Sequence, residues 1–272
     1  MADVLEVVRE APRQYARIAR LWIRSSLAYR TSFAILTFSS MLITFLDFVG
    51  LALMLNLIGD LDGWSLWEIA LLYGASGIGI GVADLLIGSV EQIGQHIRTG
   101  TLDAMMVRPV PLLVQVCADR FAIRRLGRIT QATVVFAWGA WHVDWTPSKA
   151  VVALLMVVSA GVIFFALFVT FSCVQFWTQD ASEFANAFTY GGNTMTQYPL
   201  SIFPLEVVKM LTFVIPVAFV NWYPCLYLLD REDPFGFPGW FALAPPLVGA
   251  LMCAVAALAW RTGVRRYTST GS

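Results

Sequence analysis

The sequence predicts an all-α, polytopic membrane protein, and three observations support that prediction. Of the 272 residues, 58% are hydrophobic and 13% are charged, whereas soluble domains have about 45–50% apolar and about 25% charged residues. The apolar residues form long runs, and a membrane-spanning helix needs roughly 20 of them. The basic residues collect in alternate connections between these runs. This composition excludes an ordinary soluble enzyme, and the net charge of zero gives no indication of nucleic-acid binding.

The first element is a basic amphipathic helix near the N-terminus. Four arginines recur at helical spacing, so they occupy one face of a helix within an arc of about 60°. Aromatic side chains cluster on the opposite face. Opposed basic and aromatic faces are typical of a helix that lies in the membrane interface. The residues assigned to this interfacial helix are Arg13, Arg17, Arg20, Arg24 and Trp22.

Apolar segments then predict six crossings. Five of the segments are clear, at 33–58, 66–91, 129–146, 150–174 and 240–262. The sixth crossing lies within 183–229, which is longer than one span and is interrupted by prolines. Hydropathy alone favours 207–229. The alternative is that 183–201 crosses and 205–229 forms a broken, re-entrant helix pair, which is tolerated only where the backbone is buried in protein.

Basic residues orient these spans. The N-terminal segment, the 92–128 connection and the C-terminal tail together hold 15 Lys and Arg residues, and the opposite connections hold two. Cytoplasmic connections collect Lys and Arg, so both termini are predicted to lie in the cytosol, which requires an even number of crossings. The chain is accordingly divided into a cytosolic amphipathic helix, 1–30, and a six-span transmembrane domain, 31–265.

The second span carries small residues at helical spacing. Ala75, Gly79 and Ala83 form one ladder, and Gly77 with Gly81 forms another. Small side chains let helix backbones approach closely in a membrane. The ladders therefore predict close helix packing, either within the chain or between subunits.

Two acids, Asp47 and Asp84, are predicted to lie well inside the first two spans. A carboxylate at the centre of a bilayer costs about 2.5–3.5 kcal/mol on insertion scales, so it is usually buried, paired or functional. One interpretation is a structural hydrogen bond within the bundle. The other is a proton-coupled secondary transporter that uses both acids, although the inverted repeats typical of such transporters are not evident.

The 183–201 segment has an uncharged polar stripe. Asn186, Tyr190, Asn193 and Gln197 recur at helical spacing and share one face. Such a stripe faces protein or water rather than lipid, because polar groups in hydrocarbon are costly unless they are hydrogen-bonded. The stripe therefore predicts either hydrogen bonds between helices or the lining of a translocation path.

The 92–128 connection contains a candidate docking surface. A short amphipathic stretch, 102–107, lies between Gly100 and Pro109. We expect it to expose Leu102, Met105 and Met106 on the cytosolic side, where adaptable methionine side chains suit contact with another protein. The alternative is a basic loop that rests on lipid headgroups.

Motifs for catalysis are absent from the sequence. There is no P-loop, so we expect no nucleotide hydrolysis by this chain. The two histidines lie in different connections and the four cysteines are widely spaced, so neither a catalytic triad nor a metal site is predicted. The sequence nominates no catalytic residue.

Two further patterns complete a resemblance to a known family. A stretch of the form Ile-Arg-x-Gly-x-Leu-Asp-x-x-x-x-Arg-Pro-x at 97–110 follows the second span, and a proline-rich stretch precedes the last span, with Tyr-Pro at 198–199, Ile-Pro at 215–216 and Tyr-Pro at 223–224. With the N-terminal helix and the six spans, these features resemble the permease subunits of ABC-2 type ATP-binding cassette transporters. The nearest resemblance is to a bacterial branch formerly described as a domain of unknown function, and it covers essentially the whole chain.

The resemblance has several implications. Region 97–110 would be the coupling helix that contacts a separate cytosolic ATPase, and 205–229 would be re-entrant on the outer side, which makes 183–201 the fifth span. Two permeases, identical or siblings, would combine with two ATPases in a bacterial inner membrane. The ATPases would bind ATP and Mg²⁺, and this chain would hold no cofactor. An amphipathic cargo (a drug, a natural product or a lipid-like molecule) would move outward. The residues implied in coupling are Gly100, Leu102, Met105, Met106, Arg108 and Pro109.

Overall fold

A computed structural model describes residues 2–178 and 181–268 of the chain. Within these ranges every regular element is helical, as predicted. The α-helices are α1 (Ala2–Ala28), α2 (Arg30–Ile58), α3 (Leu66–Ile87), α4 (Ile93–Arg98), α5 (Thr101–Met106), α6 (Leu112–Ala118), α7 (Leu126–Ala140), α8 (Pro147–Ser172), α9 (Ser182–Thr196), α10 (Leu205–Lys209), α11 (Ala218–Leu228) and α12 (Pro245–Arg266). A 3₁₀ segment, Gly88–Gln92, joins α3 to α4, and a π-helical turn, Met210–Val214, extends α10.

Four helical stretches are long and apolar enough to cross a membrane. They are Arg30–Leu57, Leu66–Arg98, Pro147–Phe176 and Pro245–Arg266. The predicted spans at 129–146 and 183–201 correspond to α7 and α9, which have 15 residues each. Such a helix is about 22 Å long, shorter than a hydrocarbon core of about 30 Å. The count of six crossings therefore stays a prediction.

The predicted ends of two spans were wrong, for local reasons. Helix α7 ends at Ala140 instead of continuing to 146, and the indole Nε1 of Trp145 donates to the Ala140 carbonyl oxygen at 2.9 Å. Helix α12 begins at Pro245 instead of 240. Proline is favoured in the first turn of a helix, where its missing N–H costs nothing.

Helix α3 is the buried centre of the fold, and α7 packs antiparallel to it. Small residues of α3 make this packing close, namely Gly77 and Gly79 from the predicted ladders and Gly74, which was not among them. A methyl group at Gly74 would lie 2.5 Å from the backbone nitrogen of Phe136, and one at Gly77 would lie 2.8 Å from the Cβ of Ala132. On the side facing α8, a methyl group at Gly79 would lie 2.6 Å from the Cβ of Ala160. Close packing within the chain is thus confirmed.

Helices α10 and α11 form a sharply bent pair. The two helical stretches, Leu205–Val214 and Ala218–Leu228, meet at an angle of 112°. Asn221 in α11 is buried, and its Nδ2 donates to the carbonyl oxygens of Leu72 in α3 and Thr196 in α9, at 2.8 and 2.5 Å. One amide therefore ties the bent pair to two other helices, a role that the sequence analysis missed.

We expect Gly74→Ala to destabilise the protein, because the added methyl group overlaps the Phe136 backbone. Overpacking of this kind costs about 1–3 kcal/mol. Thermal unfolding of the purified protein in detergent measures the loss. Gly50→Ala is the matched control, since its methyl group meets nothing within 4 Å, and it should be neutral or stabilising by up to about 1 kcal/mol. Equal melting temperatures for the two variants would contradict the close α3–α7 contact.

Candidate functional site

The candidate docking surface is a short helical hairpin made of α4 and α5. The chain turns between them at Gly100, whose φ of 69° lies in the left-handed region that favours glycine. His96 in α4 meets the Thr101 hydroxyl of α5 at 2.9 Å through its Nδ1 atom. His96 is buried and its Nε2 lies 3.4 Å from Asp119 Oδ2. The hairpin is therefore held by side chains on both sides of the turn.

The expected exposure of Leu102 is wrong. Its side chain is fully buried and belongs to the same core cluster as Ile97 and Val116. The expectation was that the apolar face of 102–107 points outward, whereas the first apolar residue of α5 points into the protein. Leu102 therefore anchors α5 and does not form its outer surface.

Two contacts from distant residues hold the other end of the hairpin. Gln115 is buried, and its Nε2 donates to the carbonyl oxygens of Met105 and Val110, both at 2.8 Å. The Tyr267 hydroxyl donates to Asp103 Oδ1 at 3.0 Å. Partial burial, together with Asp103, raises the pKa of Tyr267, so the phenol remains a donor at neutral pH. Neither Gln115 nor Tyr267 was found by sequence reasoning. Gln115 acts on backbone groups of a nearby turn, which no sequence pattern marks, and Tyr267 acts across 164 residues.

The surface that remains exposed is the C-terminal end of α5 and the residues after it. Val107 is 85% exposed and Met106 is 45% exposed, while Met105 is half-buried. Arg108 and Pro109 are exposed beside them. This exposed apolar pair is the candidate contact surface of the hairpin. Val107 was not among the predicted docking residues, although it is the most exposed apolar side chain here.

The four residues of the polar stripe are all half-buried along one side of α9. Asn193 Oδ1 accepts a hydrogen bond from the Ser76 hydroxyl of α3 at 2.9 Å, and the same hydroxyl meets Thr196 Oγ1 at 2.5 Å. Tyr190 donates to Asp84 Oδ1 at 3.4 Å. Two members of the stripe thus bind α3. The Oδ1 atom of Asn186 is buried and has no hydrogen-bond partner among the described residues.

Asp84 is paired with arginine. It lies in the last turn of α3 and within the helical stretch Leu66–Arg98, which is long enough to cross a membrane, so its depth inside a span stays a prediction. Asp84 Oδ2 lies 3.1 Å from Arg125 Nε and 3.9 Å from Arg128 Nη1. Arg125 Nη1 also donates to the Asp84 carbonyl oxygen at 2.7 Å. To act as a proton carrier, Asp84 would first have to lose an ion pair, which weighs against the proton-coupled interpretation.

Asp47 lies in the middle of α2, and its side chain is exposed. The nearby Tyr73 donates to the carbonyl oxygen of Thr44, one turn before Asp47. Most of α2 is exposed along its length, so the helix contacts the rest of the chain along a narrow face. The structure does not bring Asp47 into the Asp84 cluster.

The arginines of helix α1 point outward, and its aromatic face packs partly against other helices of the chain. Arg13, Arg17, Arg20 and Arg24 are exposed. Tyr15 donates from its hydroxyl to the Leu86 carbonyl oxygen at 2.6 Å, and burial raises its pKa well above the usual range. Trp22 lines a cavity of about 490 Å³ with residues of α4 and α5. The aromatic stripe is therefore used at least in part for packing within the chain.

The opposite end of α3 is closed by charged and aromatic side chains. Arg231 Nε lies 2.8 Å from Glu68 Oε1, and its guanidinium lies 4.6 Å from the ring centroid of Trp64. The Trp64 ring packs on Trp222 with centroids 5.2 Å apart, and both rings are buried. Side chains from three segments thus pack together at this end of the bundle.

Comparison with known proteins identifies the family. Residues 41–271 match the ABC-2 family transporter proteins, which is most of the chain. The chain belongs to this family. It is a multi-pass membrane permease subunit of an ABC transporter, and a member of this family works with an ATP-binding subunit. No curated protein and no solved structure matches the chain.

Among the described residues, no three His, Cys, Asp or Glu side chains come together as a metal site requires.

We expect Asp84→Ala to destabilise the permease strongly, because it leaves Arg125 without its partner in a largely buried setting. Removal of one member of a buried ion pair costs about 3–5 kcal/mol. Asp47→Ala is the control, and in the isolated permease an exposed side chain should change stability by only about 0.5 kcal/mol. Thermal unfolding and the yield of monodisperse protein measure both. Similar losses for the two variants would contradict the structural role of the Asp84 pair.

Proposed function

We propose that this permease is the membrane subunit of an ABC exporter and moves an amphipathic small molecule outward with ATP hydrolysed by a separate subunit. The observation that carries the proposal is the apolar end of α5, exposed at Met106 and Val107 and mounted on buried Leu102. Family membership supplies the need for an ATP-binding partner. A firmly mounted apolar surface in the most arginine-rich connection is the best place for that partner.

The docking contact is proposed to transmit force through α4 into α3. Helix α3, the 3₁₀ segment Gly88–Gln92 and α4 follow one another without a loop, and α5 is joined to α4 by one tight turn. Gly94 N donates to Gln175 Oε1 at 3.0 Å, which also ties α4 to the end of α8. Movement of the ATPase would therefore reach two long helices directly. The proposed coupling residues are Gly100, Leu102 as the buried anchor, Met105, Met106, Arg108 and Pro109.

Six crossings are proposed because α7 and α9 each run beside α3 for roughly half of its length or less. Gly81 lies beside Ile129 and Leu71 lies beside Gly139, so α7 covers about ten residues of α3 in the antiparallel direction. Helix α9 contacts Asp84 through Tyr190 at one level and Ser76 through Asn193 at another. Both helices thus run through the same depth as a helix that spans the membrane.

The bent pair α10–α11 is proposed to be re-entrant from the outer side. Its bend lies near mid-depth, where Val217 approaches Gly192 of α9. From there α11 returns to the end of α3 that holds Glu68, since Arg231 follows α11 and pairs with Glu68. Lys149 at the start of α8 pairs with Asp230 at 2.5 Å at the same end. The angle of 112° between the two stretches supports a return to the same side rather than one broken pass.

The translocation path is proposed to follow the polar side of α9, with Asn186, Tyr190, Asn193 and Gln197. Hydrogen bonds to α3 use only part of this stripe, and the buried Oδ1 of Asn186 has no partner in the described part of the chain. Two permeases, identical or siblings, would enclose the path between them, and two ATPases with ATP and Mg²⁺ would complete the complex.

Outward transport is proposed with cargo that loads from the cytosol or inner leaflet. Such cargo would first meet the arginine cluster at the Asp84 end, where Arg128 has 31% of its side chain exposed. The protein would lie in a bacterial inner membrane. The distribution of Lys and Arg places both termini on the cytosolic side in this proposal, with α1 in the membrane interface.

We expect Met106→Asp and Val107→Asp to dissociate the ATPase without harming the permease, because both side chains are exposed. Loss of one central contact residue costs about 2 kcal/mol, roughly thirtyfold in affinity. Co-purification and cargo-stimulated ATP hydrolysis measure the effect. Ala16→Asp is the control, which adds the same charge on the exposed side of α1. Normal ATPase binding by both α5 variants would place the docking site elsewhere.

We expect cysteines at Glu206 and Lys209 to react with a membrane-impermeant thiol reagent from outside, since both positions are exposed and precede the bend. A cysteine-free background is needed, and Pro199 is unsuitable as a reporter because it is buried. A cysteine at Thr99, exposed in the docking hairpin, serves as the control and should react only from the cytosolic side. Cytosolic labelling at Lys209 would make 205–229 a true span instead of a re-entrant pair.

A further inference from the structure

The cluster around Asp84 holds more positive than negative charge. Arg124, Arg125 and Arg128 follow one another on the 3₁₀ turn before α7 and on its first turn. The acids near them are Asp84 and Glu91. Even with both carboxylates ionised, three guanidinium groups leave an excess of one positive charge at the end of the polar stripe.

The two arginines closest to Asp84 are used differently. Arg125 donates to the Asp84 carboxylate at 3.1 Å and to the Asp84 carbonyl oxygen at 2.7 Å. Its role is therefore to stabilise the fold. Arg128 approaches the same carboxylate only to 3.9 Å, which is beyond hydrogen-bond distance. Its other contact is with the Tyr190 ring, whose centroid lies 5.8 Å from the guanidinium carbon of Arg128. The guanidinium donors of Arg128 therefore make no hydrogen bond within the described residues.

Such an arginine is suited to bind an anion. A guanidinium presents five donors in a planar fork that matches phosphate, sulfate or carboxylate oxygens. Arg128 is partly buried, with 31% of its side chain exposed, so a ligand would meet it in a less screened setting than bulk water. The cation–π contact with the Tyr190 ring orients the Arg128 guanidinium. Arg125 offsets the charge of Asp84, which limits repulsion of the incoming anion.

We infer that Arg128 recognises an anionic headgroup at the inner end of the path, so that the cargo is an amphiphile with a phosphate, sulfate or carboxylate group. This inference rests on the proposed export function and names the class of its cargo. Tyr190, which contacts both Arg128 and Asp84, is the positioning residue that connects the headgroup site to the polar side of α9.

The test compares three amphiphiles with the same twelve-carbon chain and different headgroups. Dodecyl phosphate, dodecyltrimethylammonium and dodecyl maltoside are added, below their micelle-forming concentrations, to the permease–ATPase complex in phosphatidylcholine nanodiscs. We expect dodecyl phosphate to stimulate ATP hydrolysis at about tenfold lower concentration than the others, since one charge-assisted hydrogen bond is worth that much. Inorganic phosphate alone should have no effect, and an equal effect would show that the site takes a free anion and overturn the inference.

Variants of Arg128 complete the test. Arg128→Gln should raise the half-maximal concentration of dodecyl phosphate about tenfold and abolish the headgroup preference, and Arg128→Lys should fall between it and wild type. Arg261→Gln is the control, because it removes an exposed arginine at the end of α12. If the Arg128→Gln complex does not assemble, the headgroup preference of Arg128→Lys is the deciding measurement. An unchanged preference in either Arg128 variant, or no preference in wild type, would overturn the inference.

Binding to the permease alone separates this inference from the export function. A thermal shift of the purified permease by dodecyl phosphate, lost in Arg128→Gln, supports the headgroup site even if no ATPase co-purifies, in which case the export proposal fails by itself. An assembled complex whose permease shows equal shifts with all three amphiphiles would leave the export proposal standing and refute the role of Arg128.

Discussion

Close packing of α3 against α7 is the constraint on which the other contacts depend. Lipid tails are as apolar as the helices, so helices associate in a bilayer through van der Waals contact and hydrogen bonds and not through the hydrophobic effect. Gly74 and Gly77 bring the α7 backbone within contact of α3, and Gly79 does the same for α8. With α3 held in this way, its backbone and hydroxyl groups become fixed partners for α9 and α11, through Ser76 and the Leu72 carbonyl oxygen.

Two ion pairs hold the ends of α3. Glu68 and Asp84 are 16 residues apart in one helix, roughly 24 Å, and each pairs with an arginine from a distant segment. Between them α3 meets α9 and α11 through uncharged hydrogen bonds, from Ser76 to Asn193 and from Asn221 to the Leu72 carbonyl oxygen. The stretch of α3 between the two ion pairs therefore holds no buried ion, whose cost in a membrane would be high.

The α4–α5 hairpin is held by one residue inside the 97–110 motif and by two outside it. Leu102 enters the core, Gln115 holds two carbonyl groups of the 105–110 turn, and Tyr267 reaches Asp103 from the C-terminal tail. These anchors leave Met106 and Val107 as the exposed apolar side chains of the hairpin.

The sequence by itself determined the helical class, four of the candidate spans and the amphipathic α1, because these depend on hydropathy and helical period along a short stretch. Tertiary structure decided the rest. Leu102 is inside and Val107 outside because α5 packs on a core assembled from other helices. Asp84 is an ion-pair partner because Arg125, 41 residues later, reaches it, and Asn221 joins α3 to α9 across separations that no local pattern encodes. Periodicity assigns a residue to a face of its helix, but what that face meets depends on contacts between distant parts of the chain.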